Sequence, residues 1–372
     1  MINMLNLKSE WNDLQEELTA EILDTIESGQ FINGPKVKEF QHNLELFLGV
    51  KHVIPCGNGT DALMIALMAL GLKKGDEVIV PAFTYIATVE VIKLLGLTPI
   101  FVDVDVNTFN LCLENVVKAK TKKTRAIIPV HLYGKMADIE PIVKYAQENN
   151  IFVIEDTAQA LGAFKNYDLN KRYAGTYGDI GTISFFPTKN LGCYGDGGAI
   201  ITNSDDLAKK INMIANHGQS SKYIHDIVGV NSRLDSLQAA ILSVKLKRLG
   251  AFIYRRREIA MTYTKSLEQI SGLVVPNDSS SLHAYHQYTI RLVDKSIRND
   301  LQEFLIDKGI ETMVYYPLPI YRQKAFKEEI YLPNTEILCD TVLSLPISPF
   351  LRPMDQQKIV RAIIEYFNLK DS

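Results

Sequence analysis

A chain of 372 residues with 47% hydrophobic content can fill a sizeable core, in two domains or in one large domain with a smaller appendage. Its net charge of −3 leaves no global basic field, which argues against nucleic acid as a main partner. Four scattered cysteines, Cys56, Cys112, Cys193 and Cys339, form no C-x-x-C pair or Cys/His cluster, so neither structural zinc nor a disulfide framework is expected, and the setting reads as reducing and cytoplasmic.

The first residues show no basic segment leading into an apolar one, and no apolar run reaches membrane-spanning length, so a soluble, non-exported protein is expected. Apolar residues at helical spacing (Trp11, Leu14, Leu18, Ile22, Ile26) predict a helix over 8–27 closed by Gly29, and Gly34-Pro35 opens a second one ending at Leu48. His52-Val-Ile-Pro-Cys56 reads as a strand, and Gly57-Asn58-Gly59-Thr60-Asp61 leads straight into an apolar helix ending at Leu70. Free N–H groups and the positive helix end make such a junction an anion site, although an ordinary capped turn has the same sequence. Four strands, 77–81, 99–104, 125–130 and 151–154, then alternate with helices 85–95, 114–119 and 138–149. This alternation implies right-handed crossovers and a mostly parallel sheet, with ligands at the carboxyl ends of its strands. Strands 180–186 and 199–202, a helix over 205–216 and a polar loop over 218–231 follow. A long helix is expected from about Leu234 to Leu267 with a break near Gly250, then a β-α-β-α-α tail comprising strand 287–292, helix 297–308, strand 312–316 and helices 335–343 and 354–367. The reading is a large domain over 1–250 and a smaller α+β domain over 251–372.

The stretch from Gly178 to Thr202 holds one lysine, Lys189, in a turn with Gly192, Gly195, Gly197 and Gly198. Among Phe185, Phe186 and Pro187 the amine is open to partial desolvation, which lowers its pKa and makes it a nucleophile toward an aldehyde. A surface lysine beside a glycine-rich loop is the other reading of this window. Asp156, at a strand end, reads either as a helix cap or as a partner for a ring nitrogen. Taken with the Gly59-Thr60 junction, the three parts match one cofactor, pyridoxal 5'-phosphate, which has an aldehyde, a ring nitrogen and a phosphate.

The segments Glu155-Asp156-Thr-Ala-Gln159, Ser184-Phe-Phe-Pro-Thr-Lys189-Asn-Leu-Gly and Asn231-Ser-Arg233-Leu-Asp-Ser-Leu-Gln resemble the DegT/DnrJ/EryC1/StrS family of sugar aminotransferases, and the resemblance spans nearly the whole chain. It implies an α/β protein of PLP fold type I, like aspartate aminotransferase, with a mostly parallel central sheet. It also implies roles: Lys189 carries the cofactor, Asp156 pairs with the ring nitrogen, Gln159 lies on the ring-hydroxyl side and Tyr85 stacks on the ring. Gly59, Thr60 and Ser184 contact the phosphate, and Asn231 reaches the phosphate of a partner subunit, so a homodimer is expected. Phe186, His217, Arg233, Tyr315 and Tyr316 are expected at the substrate mouth; a helix-start salt bridge is the other reading of Arg233. No metal is expected. The implied reaction moves an amino group from L-glutamate, through the pyridoxamine form of the cofactor, to a nucleotide-linked keto sugar in bacterial surface polysaccharide synthesis. Resemblance to the branch acting at C3 favours a UDP-linked 2-acetamido 3-keto sugar or uronic acid, with a dTDP-linked 3-keto-6-deoxy sugar as the alternative. Dehydrating relatives carry histidine at the position of Lys189. A regulatory protein on this fold has no need of the intact Lys189, Asp156 and Gln159. A nicotinamide dehydrogenase is disfavoured because Gly57-Asn-Gly59-Thr-Asp-Ala lacks the third glycine of its fingerprint.

Overall fold

The alternating strands and helices close into a seven-stranded sheet in the computed structural model, which describes residues 1–167, 170–276 and 283–371. In spatial order its strands are His52–Cys56, Gly198–Thr202, Ile180–Ser184, Phe152–Asp156, Thr124–Ile127, Glu77–Pro81 and Thr98–Val102. The last five run parallel to one another, and Gly198–Thr202 runs antiparallel to both its neighbours. Successive residues of these strands feed two different apolar cores. Ile79, Ile127, Val153 and Ile201 pack on one face with the helix Pro35–Leu48, whereas Val78, Val80, Ala126, Ile154 and Ile200 pack on the other with the helices Gly59–Leu70 and Asp205–Ala215. The period of two follows from the strand pleat, and covering on both faces explains why the strands read as unbroken apolar runs.

The C-terminal part builds a third core on an antiparallel sheet of Leu273–Val274, Tyr288–Leu292 and Val342–Leu345, covered by the helices Leu249–Leu267, Ile297–Asp307 and Pro353–Asp371. The proposed division at residue 250 falls within the first turn of Leu249–Leu267. Leu249 and Ile253 of that helix pack in the large-sheet core, and Ile259, Tyr263 and Leu267 pack in the C-terminal one.

The structure departs from the sequence expectations in several places. The expected long helix is two helices, Ser236–Leu246 and Leu249–Leu267, and the break lies at Lys247-Arg248 rather than at Gly250. The helix expected to reach Leu343 stops at Thr341, because Val342–Leu345 pairs with Tyr288–Leu292 and tertiary pairing overrides helix propensity. The strand expected over 312–316 is a single bridge between Met313 and Ser344. Two hairpins were not anticipated: Phe164–Tyr167 with Asn170–Tyr173, and Gln219–Ser221 with Ile224–His225 inside the polar loop.

Candidate active site

A cleft of about 720 Å³ opens at the carboxyl ends of the parallel strands. The helix Gly59–Leu70 starts there, capped by Asn58, whose side-chain oxygen accepts from the Asp61 N–H at 2.8 Å. The leading N–H groups of such a helix have no partner within it, so Gly59 and Thr60 present donors and the positive end of the dipole to the cleft. Gly59 is a necessity of packing: a β-carbon on it would lie 2.7 Å from the Ser184 β-carbon. The junction therefore brings the helix end and Ser184 together.

Asp156 ends its strand in the same cleft and is 5% exposed. Its Oδ2 accepts from the Thr88 hydroxyl at 2.8 Å and its Oδ1 from the Ala158 N–H at 3.1 Å, which fixes the carboxylate and leaves lone pairs for a ligand. Gln159 is held from both ends. Its carbonyl oxygen accepts from the Tyr133 N–H at 2.7 Å, and its amide donates to the Tyr316 hydroxyl oxygen at 3.1 Å. Burial outweighs that hydrogen bond and holds the Tyr316 phenol well above its ordinary pKa, so it stays protonated with its own O–H free to donate. The Tyr85 ring is 56% exposed and sits 6.2 Å from that of Tyr316, while Phe186, also largely exposed, stands beside the lysine at the cleft wall.

Lys189 reaches the cleft from its glycine-rich loop, half-buried. Burial lowers its pKa to about 8, and nearby Asp156 opposes the shift only in part. At pH 7 this leaves roughly three-hundredfold more neutral amine than an ordinary lysine has. Sequence reasoning missed the neighbours His286 and Gln287, which come from the C-terminal part. Both are buried in the cleft wall, and His286 Nδ1 and Gln287 Oε1 have no hydrogen-bond partner. Burial, reinforced by Lys189 and Arg256, keeps His286 neutral. Nothing local marks these two residues; they only precede a strand.

His131 is fully buried and serves structure. Its Nδ1 accepts from the Ala137 N–H at 3.0 Å, so Nε2 carries the proton and donates to Glu155 at 2.9 Å. Burial raises the Glu155 pKa, yet His131 and the N–H groups of Gly175 and Gly178 outweigh it and the carboxylate lies below its usual range. This strut holds the strand that presents Asp156.

The site meets the cofactor expectation part by part. A desolvated amine suits an aldehyde, a fixed carboxylate suits a protonated ring nitrogen, and a helix N-terminus beside Ser184 suits a phosphate. Among the described residues there is no group of three His, Cys, Asp or Glu arranged to hold a metal ion. The model of the DegT/DnrJ/EryC1/StrS aminotransferase family matches residues 12–364. The chain belongs to that family.

It is 46% identical to a "pleiotropic regulatory protein" of Geobacillus stearothermophilus, with 98% of each chain aligned. It is 44% identical to the UDP-2-acetamido-2-deoxy-3-oxo-D-glucuronate aminotransferase of Pseudomonas aeruginosa, over 94% of this chain and 96% of that one. Further relatives at 35% and 40% identity are named as dTDP-linked sugar transaminases. A Bacillus subtilis protein solved with its bound cofactor PMP superposes with a TM-score of 0.90 at 34% identity, over 96% of this chain and 82% of that one. This family member is an aminotransferase of PLP fold type I, and its cofactor is pyridoxal 5'-phosphate.

Tyr315 and Tyr316 line the cleft of this aminotransferase with Lys189. Three predicted residues are not in that lining. Asn231 and His217 lie on facing segments, joined by the His217 N–H donating to the Val230 carbonyl at 2.8 Å and by a bridge between Asn216 and Asn231. Arg233 opens onto a separate cavity of about 600 Å³ with Lys38, Lys209 and Gln219. Ser232 between them donates to Asp61 at 2.6 Å and accepts from the Gly57 N–H at 2.9 Å, which ties this segment to the start of the Gly59 helix. No helix among the described residues is long and apolar enough to cross a membrane.

Proposed function

We propose that this aminotransferase moves an amino group from L-glutamate to the C3 ketone of a nucleotide-linked sugar, a UDP-linked 2-acetamido 3-keto sugar or its uronic acid, in bacterial surface polysaccharide synthesis in the cytoplasm. The observation that carries the reading is the cleft in which the Lys189 amine, the Asp156 carboxylate and the Gly59 helix end meet. The substrate class is supported by the relative from Pseudomonas aeruginosa. When bound, the cofactor supplies an electron sink and a carrier for the amino group. The protein's own groups do the rest. Lys189, neutral in a useful fraction near pH 8, takes a proton from the substrate carbon on one side of the transfer and returns it on the other. With the cofactor bound, Asp156 would keep a proton on the ring nitrogen, Gly59, Thr60 and Ser184 would hold the phosphate, Tyr85 would stack on the ring, and Gln159 with Tyr316 would hold the ring-hydroxyl side. Phe186 and Tyr315 border the sugar and its nucleotide.

Lys189 is the one lysine or arginine among the described residues lining the cleft. A sugar linked to a diphosphate needs further cations, and Arg233 of a second copy meets that need, with Asn231 on the cofactor phosphate and His217 nearby, if the protein is a homodimer with shared sites. Mixing two inactive variants tests this. Co-refolded Lys189→Ala and Asn231→Ala chains should recover about a quarter of the wild-type sites, because half the dimers then hold one complete site. No recovery would place Asn231 in the site of its own chain or outside it.

The substrate test loads the enzyme in its pyridoxamine form and asks which keto-sugar nucleotide restores the aldehyde absorbance. A UDP-linked 2-acetamido 3-keto sugar or uronic acid should show kcat/KM at least about tenfold above a dTDP-linked 3-keto-6-deoxy sugar, since an added carboxylate or acetamido group is bound by specific partners. A hundredfold preference for the dTDP sugar reverses the substrate choice and leaves the amino transfer standing.

A further inference from the structure

The loop that carries Lys189 is braced from outside the cleft. Within the loop, the Lys189 N–H donates to the Phe186 carbonyl and the Cys193 N–H to the Phe185 carbonyl, each at 2.8 Å. Gly192 lies so close over the preceding turn that a β-carbon there would sit 2.5 Å from the Pro187 carbonyl oxygen. The Gly192 carbonyl in turn accepts a hydrogen bond from Lys245 Nζ at 2.7 Å. Lys245 belongs to the helix Ser236–Leu246 and is 2% exposed. The same ammonium is 2.5 Å from Glu10 Oε1 on the helix Leu7–Ser28 and 4.2 Å from the centroid of the Tyr194 ring. Two turns earlier on that helix, Gln238 accepts from the Tyr194 N–H at 2.8 Å and donates to the Tyr194 carbonyl at 3.3 Å.

An ammonium group has three donors, and here they meet a carbonyl, a carboxylate and an aromatic face, so the buried charge is compensated. An apolar side chain of similar length would fill the space with a smaller desolvation cost, so packing by itself gives no reason for a lysine. What methionine or leucine cannot do is hold a backbone carbonyl three residues beyond Lys189. We infer that Lys245, with Glu10 as its counter-ion, is a positioning residue for Lys189: it pins the Gly192 carbonyl, sets the seat of the glycine-rich loop and so aims the reacting amine into the cleft beside Asp156. The inference rests on the aminotransferase reading of that cleft. It also gives the amino-terminal helix a part in the site, since Glu10 and Trp11 both pack there, the latter with its ring 6.2 Å from Tyr194.

The test compares Lys245→Met, Lys245→Arg and Glu10→Gln with the wild type in thermal melts, in kcat and KM, and in the ionisation of Lys189. That ionisation is followed by brief acetylation of the pyridoxamine-loaded protein across a pH series, with mass spectrometry of the Lys189 peptide. Wild-type labelling should have its midpoint at about pH 8. In Lys245→Met the loop admits water, so the midpoint should rise by about one pH unit, because burial is the main cause of the low value. Its kcat should fall on the order of tenfold while KM for the keto sugar stays within about twofold, the pattern of a misplaced catalytic group. Lys245→Arg, which keeps the charge and its donors, should restore kcat to within about threefold of wild type. Glu10→Gln should move the midpoint in the same direction by less. A folded Lys245→Met with the wild-type midpoint and kcat overturns the inference. Should Lys245→Met fail to fold, a Glu10→Gln with an unmoved midpoint and unchanged kcat overturns it equally. A wild-type protein that neither binds pyridoxal phosphate nor transfers an amino group overturns the functional reading itself, which separates the two failures.

Discussion

Replacing Lys189 with alanine is expected to abolish amino transfer and to remove the absorbance that a lysine-held pyridoxal phosphate gives. No other lysine lines the cleft among the described residues, so nothing is placed to take over either the attachment or the proton transfer. The expected loss is at least about 10⁴-fold in kcat, the upper range for removing a positioned acid–base group. The wild-type pH profile checks the same assignment. Burial lowers the Lys189 pKa to about 8, so the neutral amine accumulates as pH rises through that value, and the half-reaction that consumes the pyridoxamine form should quicken with it. Added methylamine gives a further control, since a small amine that enters the vacated space should restore part of the rate. A Lys189→Ala protein that keeps substantial activity, or a profile rising only near the ordinary lysine pKa, would remove Lys189 from the chemistry.

For Asp156→Ala the expected result is a protein that still takes up the cofactor but abstracts the substrate proton on the order of 10²- to 10³-fold more slowly. Lys189, Ser184 and the Gly59 helix end still hold the cofactor, whereas the ring nitrogen loses the anion that keeps it protonated. Asp156 has its two oxygens fixed by Thr88 and Ala158, so Asp156→Asn retains the shape without the charge. Single-turnover absorbance measurements on both variants distinguish the two contributions. An asparagine variant as slow as the alanine variant assigns the effect to charge, and near-wild-type rates in both would move the ring-nitrogen role to another residue.

The central features of the site were legible because their signals are local. Asp156 stands at the end of an apolar strand, Lys189 lies among glycines after Pro187, and Gly59-Thr60 joins a strand to a helix; each placement follows from a few neighbouring residues and from the rule that ligands sit at the carboxyl ends of parallel strands. Val342 and Leu343, at the start of the strand Val342–Leu345, were read as the end of a helix because their local composition fits either state, and only the partner Tyr288–Leu292 decides between them.

Sequence alone thus determined the alternation of strands and helices in the large domain, the mostly parallel sheet and the candidate lysine, carboxylate and strand-to-helix turn, since periodicity and turn chemistry act over a few residues. Tertiary structure alone decided how those groups are held. Thr88 on Asp156, Tyr133 and Tyr316 on Gln159, His286 and Gln287 in the cleft wall, and Lys245 with Glu10 behind the Lys189 loop are contacts between segments far apart in the chain. Such contacts leave no periodic trace, because a single hydrogen bond needs one donor and one acceptor to meet, and where they meet is set by how helices and sheets pack.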